Sequence, residues 1–217
     1  MKKEEIFARV DHTQLKATAT WADIQALCEE ATVYHTASVC IPPAYLRRAR
    51  QAFPALTLCT VIGFPLGYST TAAKVFETKD AVAQGADEID MVVNLGDVKN
   101  GDFDAVRAEI EAVRAVADGR LLKVIVETCY LTREEKLRLC DCVTQAKADY
   151  IKTSTGFGTA GAQMEDIALF RQHIGAGVKI KAAGGIRTRE AMEAFCEAGC
   201  DRIGCSAAVK ALAGEDA

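Results

Sequence analysis

Two lysines stand where apolar segments give way to small, hydroxyl-rich or glycine-rich loops. Lys152 follows Tyr150 and Ile151 and precedes the letters TSTG, and Lys181 precedes AAGG. Burying an ammonium group is costly unless the group is paired or loses its proton. A lysine without its proton is a nucleophile that forms an imine with a carbonyl. The position of Lys152 therefore indicates either a Schiff-base nucleophile or a side chain that reaches out at a strand end.

A carboxylate, Asp90, lies in the apolar segment EIDMVVN. It needs a cationic partner or a proton if it is buried, and Lys152 and Lys181 would supply the charge. A second ammonium beside Lys152 would also disfavour the charged form of Lys152, as a nucleophile requires. A carboxylate between two lysines either relays protons or forms a structural ion pair, and the residues alone leave both alternatives open.

Two further lysines lie on predicted strands. Lys123, on the same face as Glu127, is the main rival of Lys152 for the imine. It lies near the start of its strand, where barrel residues support stability, so we interpret it as a member of an interior charge network. Lys179 has the parity of Lys181 but lies one layer lower, and an exposed position at the bottom of the barrel is predicted for it.

Two glycine-containing loops are suited to an anion. Gly184 and Gly185 lead toward a helix that begins near Thr188, and Gly204 stands two residues before Ser206. Glycines let backbone N–H groups approach an anion, and a helix N-terminus favours negative charge. The loops after the seventh and eighth strands of a parallel α/β barrel usually bind phosphate, so these two loops predict a phosphate site.

Short runs rich in Val and Ile alternate with helical patterns along the chain. Strands are predicted at residues 10–13, 37–41, 56–62, 88–93, 121–127, 150–153, 178–182 and 202–204. Eight βα units of this length predict an α/β fold, a closed (β/α)8 TIM barrel that forms a single domain over residues 1–217. The alternative is an open doubly wound sheet, but no G-x-G-x-x-G follows the first strand.

Composition excludes several classes of partner. The chain has 217 residues and a net charge of −4, so neither a nucleic-acid nor a membrane surface is expected. No apolar run approaches the roughly 20 residues of a membrane span, and the start MKKEEIFARV does not resemble a signal peptide. Nine irregularly spaced cysteines indicate reduced thiols and a cytoplasmic protein. The histidines His12, His35 and His173 lack ligand spacing, so no metal is expected.

Seven segments of the chain resemble the deoxyribose-phosphate aldolase family. The matching segments are DHTQL at 11–15, SVCIPP at 38–43, EIDMVVN at 88–94, LKVIVET at 122–128, YIKTSTGF at 150–157, KAAGGIR at 181–187 and RIGCS at 202–206. They occur in the family's order and cover nearly the whole chain. The pair IKTSTGF and KAAGGIR is highly specific.

The resemblance implies a class I aldolase on a (β/α)8 barrel, without a metal or cofactor. Such an enzyme reversibly cleaves 2-deoxy-D-ribose 5-phosphate to acetaldehyde and D-glyceraldehyde 3-phosphate, which are the implied partners. Lys152 would form the Schiff base, Lys181 would tune it, and Asp90 would be the acid–base carboxylate. Asp11 and Thr13 match polar residues at the edge of the site. The phosphate-binding loops would contain Thr155, Gly184, Gly185, Gly204 and Ser206. A homodimer is common in the family, and the sequence itself shows no interface.

The chain departs from the family pattern in two places. The last loop reads GCSA where the family often has GTSS, so Cys205 and Ala207 remove two hydroxyls and weaker phosphate binding is expected. The chain ends in AGEDA at 213–217, whereas some members end in a tail with a tyrosine.

Cys40, at a strand end, is either within reach of a reactive aldehyde or an inert buried thiol.

Two classes of rival function remain open on the sequence. One is another Schiff-base aldolase with a different donor, such as a transaldolase-like or keto-acid enzyme. The other is a barrel that binds a sugar phosphate without catalysis, because a fold does not settle function. Use of acetaldehyde as donor separates the first rival, and formation of a covalent imine separates the second.

Overall fold

The strands form one closed barrel in the computed structural model, which describes residues 1–213. All neighbours are parallel, and β1 pairs with β8 to close the ring. The strands are β1 Val10–Thr13, β2 Ser38–Cys40, β3 Leu58–Ile62, β4 Glu88–Val92, β5 Leu121–Ile125, β6 Tyr150–Lys152, β7 Lys179–Ala183 and β8 Arg202–Cys205. The predicted (β/α)8 barrel is confirmed, and each predicted strand ends within two residues of an observed one.

Helices connect successive strands, as a parallel barrel requires. Those in the described residues are α1 Lys3–Phe7, α2 Trp21–Tyr34, α3 Leu46–Ala52, α4 Thr71–Ala83, α5 Leu95–Asn100, α6 Phe103–Val116, α7 Arg133–Gln145, α8 Met164–His173, α9 Arg189–Glu197 and α10 Ala208–Leu212. None of them has both the length and the apolar character needed to cross a membrane.

Side-chain caps fix where several helices begin. The Thr132 hydroxyl accepts from the Glu135 N–H at 3.2 Å, and the Glu135 carboxylate accepts from the Thr132 N–H at 2.7 Å. This reciprocal pair satisfies two backbone donors at the start of α7. The starts of α6 and α9 each have a single cap. The side chains of Asp102 and Thr188 accept from the N–H groups of Ala105 and Ala191, both at 3.2 Å.

The short helix α1 precedes β1 and was not predicted, because its five residues are too few to show a helical period. It buries Ile6 and Phe7, and the Phe7 ring stacks on Tyr34 at the end of α2 with centroids 5.0 Å apart. The N-terminal segment is therefore part of the packed structure of the barrel.

The two faces of the strands differ in chemistry. Residues such as Ile89, Val124 and Ile203 are fully buried and belong to the main hydrophobic cluster. Several of the alternate residues are charged, and Lys181 of β7 donates a hydrogen bond to Asp90 of β4 across the barrel. Since side chains alternate between faces along a strand, the charged set faces the interior and the apolar set packs under the helices.

A buried ion pair outside the barrel holds the carboxyl end of β4. The Lys74 ammonium donates to the Val92 carbonyl and to Glu109, both at 2.8 Å. The second oxygen of Glu109 accepts from the Asn94 N–H at 3.2 Å. Both backbone groups lie within four residues of Asp90, so α4 and α6 anchor the strand end that carries the central carboxylate.

Candidate active site

Seven charged side chains meet inside the barrel and are here called the interior charged layer. The strand register places Asp90 beside Lys123 and Lys152 beside Lys181. Each of the seven comes from an inward-facing position on one of six strands. They are Asp11, Glu88, Asp90, Lys123, Lys152, Lys181 and Arg202.

Asp90 is the centre of the layer. One carboxylate oxygen accepts from Lys123 at 2.7 Å, and the other accepts from Lys152 at 2.8 Å and Lys181 at 2.7 Å. Burial would raise the pKa of this carboxyl, but the three ammonium groups outweigh burial and hold its pKa well below the usual value. The structure thus brings together the three residues predicted to carry the chemistry.

Lys181 and Lys123 are held in their charged forms. Burial lowers the pKa of an ammonium group. At Lys181 the opposing charges of Asp11 and Asp90 outweigh burial and raise the pKa, and at Lys123 Asp90 makes the largest opposing contribution. Lys123 also bonds Glu88 at 2.7 Å. It therefore belongs to the interior charge network, as predicted.

Asp11 lies deeper than the sequence led us to expect. The resemblance implies a position at the edge of the site, but Asp11 is fully buried and contacts Lys181, Arg202 and, at 3.5 Å, Lys123. The register explains the difference, because Asp11 pairs with Gly204 within β8 and not with the loop beyond it. Burial alone would raise its pKa, yet these cations lower it.

Arg202 and Glu88 belong to the layer but were not among the predicted site residues. The guanidinium bonds Glu88 at 2.7 and 3.1 Å and also contacts Asp11. Parity along the strands was the available signal, because Arg202 lies two residues before Gly204 and Glu88 two before Asp90. Lys179, one layer lower on β7, is exposed as predicted.

Lys152 is the member of the layer that lines a cavity at the carboxyl end of the barrel. This cavity has a volume of about 300 Å³. Its wall includes every residue that the sequence assigned to substrate or phosphate except Asp11, namely Thr13, Thr155, Gly184, Gly185, Gly204 and Ser206. The predicted nucleophile and the predicted phosphate loops therefore face one space.

The cavity also has two cations that the sequence does not predict. Lys16 and Arg187 line it, and both side chains are exposed. Neither side chain makes an ion pair or hydrogen bond within residues 1–213. From sequence alone they look like ordinary surface charges, and only their shared position on one wall indicates a role with an anion.

The β6–α8 and β7–α9 loops touch each other closely. A side chain on Gly161 would meet the Gly184 carbonyl at 2.1 Å, and one on Gly184 would meet the Gly161 Cα at 3.0 Å. Gly184 and Gly185 also have φ values of 86° and 78°, which disfavour other residues. The packing of the two loops thus requires glycine at positions 161 and 184, whereas at Gly185 only the positive φ favours glycine.

The described cysteines are all buried except Cys129, which is partly exposed. Cys40 pairs with Cys59 across β2 and β3, and the hydrogen bond from Cys59 lowers the pKa of the Cys40 thiol against the effect of burial. Reactivity also requires access.

Brief treatment of the folded protein with an unsaturated aldehyde is therefore expected to modify Cys129 before Cys40. Peptide mass spectrometry, with guanidinium-unfolded protein as control, checks this order. Faster modification of Cys40 would show that its burial is relieved in solution.

Two groups of side chains bring metal-binding atoms within 4.8 Å of one another. They are Cys40, Cys59 and Asp90, and Asp11, Cys59 and Glu88. Sequence spacing did not reveal them, because their members come from four strands. Lys123 contacts Cys59 and all three carboxylates. Its ammonium group thus occupies the position of a cation, and we assign no metal site here.

The chain is similar to aldolases over nearly its whole length. The model of the family described as DeoC/LacD family aldolase matches residues 6–207. Deoxyribose-phosphate aldolase of Clostridium botulinum (strain Alaska E43 / Type E3) is 56% identical over 100% of this chain and 98% of the relative. That of Clostridioides difficile (strain 630) is 53% identical over 98% of each.

A solved structure agrees with these relatives. The deoxyribose phosphate aldolase of Aeropyrum pernix, described as tetrameric, superposes with a TM-score of 0.91 at 31% identity, over 100% of this chain and 93% of that one. Sequence and fold therefore lead to the same family. The chain belongs to the DeoC/LacD family of aldolases, among its deoxyribose-phosphate aldolases.

Proposed function

We propose that this chain reversibly cleaves 2-deoxy-D-ribose 5-phosphate to acetaldehyde and D-glyceraldehyde 3-phosphate through a Schiff base on Lys152. One observation carries the assignment of the lysine. Lys152 lines the cavity, whereas the Lys123 and Lys181 side chains are fully buried beneath it. A carbonyl carbon that enters the cavity therefore meets Lys152 first.

The charges of the interior layer set Lys152 apart from the other two lysines in it. Lys123 and Lys181 are held as ammonium groups, because the carboxylates around them raise their pKa values. An ammonium group lacks the lone pair that a nucleophile needs, and the guanidinium of Arg202 does not deprotonate. We therefore assign the attack on the aldehyde to Lys152, which lines the cavity.

The proposed cycle uses the imine as its electron sink. Neutral Lys152 attacks the open-chain aldehyde to give a carbinolamine, which takes up a proton and loses water to give a protonated imine. A base removes the proton of the 3-hydroxyl, and the bond between the second and third carbons breaks. D-glyceraldehyde 3-phosphate leaves, and the electron pair of the broken bond forms an enamine. Protonation and hydrolysis of the enamine release acetaldehyde. Asp90 and Lys181 move protons through water. Lys152 and Lys181 both donate hydrogen bonds to the same oxygen of Asp90. The iminium supplies the electrophile that a metal supplies in other aldolases.

We place the phosphate at the Gly184–Gly185 and Gly204–Ser206 loops, with Lys16 and Arg187 as counter-charges. The Lys16→Met and Arg187→Met variants are each expected to raise KM for the phosphorylated sugar by about tenfold. This is the low end for a bond to a charged group, because both side chains are exposed. Activity on unphosphorylated 2-deoxyribose should change little. Steady-state kinetics on both sugars measures this.

A matched control is Lys179→Met, which removes the same charge from the opposite end of the barrel. It should leave KM unchanged for both sugars. Equal losses on both sugars in the Lys16 or Arg187 variants would mean that these residues do not bind the phosphate.

A product assay tests the reaction itself. The purified protein should release acetaldehyde and D-glyceraldehyde 3-phosphate in equal amounts, accept acetaldehyde as donor in the reverse direction, and retain its activity after prolonged chelation. Failure with acetaldehyde but success with another donor would identify a different Schiff-base aldolase. Binding of the sugar phosphate without any product would identify a non-catalytic barrel.

The proposal also covers setting and assembly. We place the reaction in the cytoplasm, because the nine cysteines are free thiols, and in a single domain that spans the 217-residue chain. The assembly implied by the resemblance is a homodimer, whereas the Aeropyrum pernix relative is tetrameric. Light scattering distinguishes these two masses. The departure from the family at the residues AGEDA falls almost wholly on residues 214–217, which lie outside the described residues.

A further inference from the structure

Glu127, just after β5, combines two unfavourable features. Its side chain is buried, and its backbone lies in the left-handed region with φ 54° and ψ 63°. Burying a carboxylate is costly, and a non-glycine residue in this region stores strain of the kind that clusters at functional sites. The mechanism above makes no use of Glu127.

Both oxygens of this carboxylate are bonded to Thr155. The Thr155 N–H donates to one at 3.1 Å, and the Thr155 hydroxyl donates to the other. The same hydroxyl oxygen accepts from the Phe157 N–H at 3.0 Å. The hydrogen of Thr155 that the resemblance would direct to a phosphate is therefore committed to Glu127.

These bonds fix one end of the β6–α8 loop. Gly156 and Phe157 follow Lys152 closely in the sequence and line the same cavity. The other end of the loop is held by the Ala162 N–H, which lies 3.1 and 3.2 Å from two carbonyl oxygens of the β7–α9 segment. The wall beside the nucleophile thus depends on Glu127 at the near end and on the glycine contact at the far end.

We infer that Glu127 is a positioning residue that holds the loop of residues 155–157 against the substrate bound to Lys152. This inference rests on the proposed function and adds a residue to it. Thr155 acts in it as the link to Glu127 and does not donate to the phosphate. A five-carbon sugar phosphate must be aligned by this wall for carbon–carbon cleavage, whereas two-carbon acetaldehyde forms its imine without contacting it.

The test compares Glu127→Gly with Glu127→Gln. Glycine accepts the positive φ but removes both bonds, whereas glutamine keeps an acceptor for the Thr155 N–H. Glu127→Gly is expected to lower kcat on 2-deoxyribose 5-phosphate by about 100-fold, the cost of a misplacement near 1 Å. Glu127→Gln should keep most of the kcat of the unmodified protein. Borohydride trapping of acetaldehyde on Lys152 should proceed at the unmodified protein's rate in both variants.

A double-mutant cycle with Thr155→Val provides the second measurement. If Glu127 acts through Thr155, the Glu127→Gly and Thr155→Val losses should not add in the double variant. Additive losses, or unchanged kcat in Glu127→Gly, would overturn the inference. So would equal loss of acetaldehyde trapping, which would mean general damage to the fold. Failure of the proposed function is distinct, because the unmodified protein would then neither cleave the sugar nor trap acetaldehyde.

Discussion

The Lys152→Met variant is expected to lose about 10⁴- to 10⁶-fold in cleavage rate, the range found when a covalent nucleophile is removed. Methionine has a similar length but cannot form an imine. The fold should persist, since Lys152 makes one bond to Asp90 and that carboxylate keeps Lys123 and Lys181. Single-turnover cleavage measures the rate, and thermal unfolding measures the stability.

Lys179→Met again serves as the control, because this exposed lysine lies one layer below Lys181 on the same strand. It should retain the activity of the unmodified protein. A Lys152→Met variant with more than a few per cent of the original rate would show that another group carries the reaction, and Lys123→Met and Lys181→Met would then identify it.

The Asp90→Asn variant is expected to lose about 3–5 kcal/mol of unfolding free energy, together with its activity. Removal of one partner from a buried ion cluster leaves the opposite charges uncompensated, and here three lysines lose their common carboxylate. Urea unfolding measures the change. Asp141→Asn, at an exposed position of α7, is the control and should stay within about 0.5 kcal/mol. A similarly small change at Asp90 would mean that water compensates the lysines.

The same cluster sets a pH dependence. The pKa of Asp90 is lower in the folded protein than its unfolded value of about 3.9. Its stabilisation is therefore present above about pH 4 and is lost as pH falls toward the folded pKa. The pKa of Lys181 is raised above its unfolded value of about 10.4, so its stabilisation is present below that pH and is lost as pH rises toward the folded pKa. Asp90→Asn should weaken the acid-side dependence.

The strands, the glycine loops and three of the site residues could be predicted from the sequence. The strands and the glycine loops depend on local patterns, so they could be predicted with nearly correct bounds. Asp90, Lys152 and Lys181 could be predicted because charged residues in apolar strands are conspicuous. The depth of Asp11 depends on the register between β1 and β8, which no local pattern encodes.

Other features depend on contacts between distant segments. Arg202 is only partly buried, and its partner Glu88 is 114 positions away in the chain. Lys16 acquires significance only because it and Arg187 line one cavity. The bond between Glu127 and Thr155 joins two different loops, so the sequence shows Glu127 on a strand face but not what it holds.

Reduction with borohydride in the presence of acetaldehyde, followed by peptide mapping, shows which lysine forms the covalent intermediate. We expect a single reduced two-carbon adduct on the peptide that contains Lys152, and no adduct in Lys152→Met. An adduct on Lys123 or Lys181 of the unmodified protein, or the absence of any adduct from protein that cleaves the sugar, would mean that Lys152 does not form the intermediate.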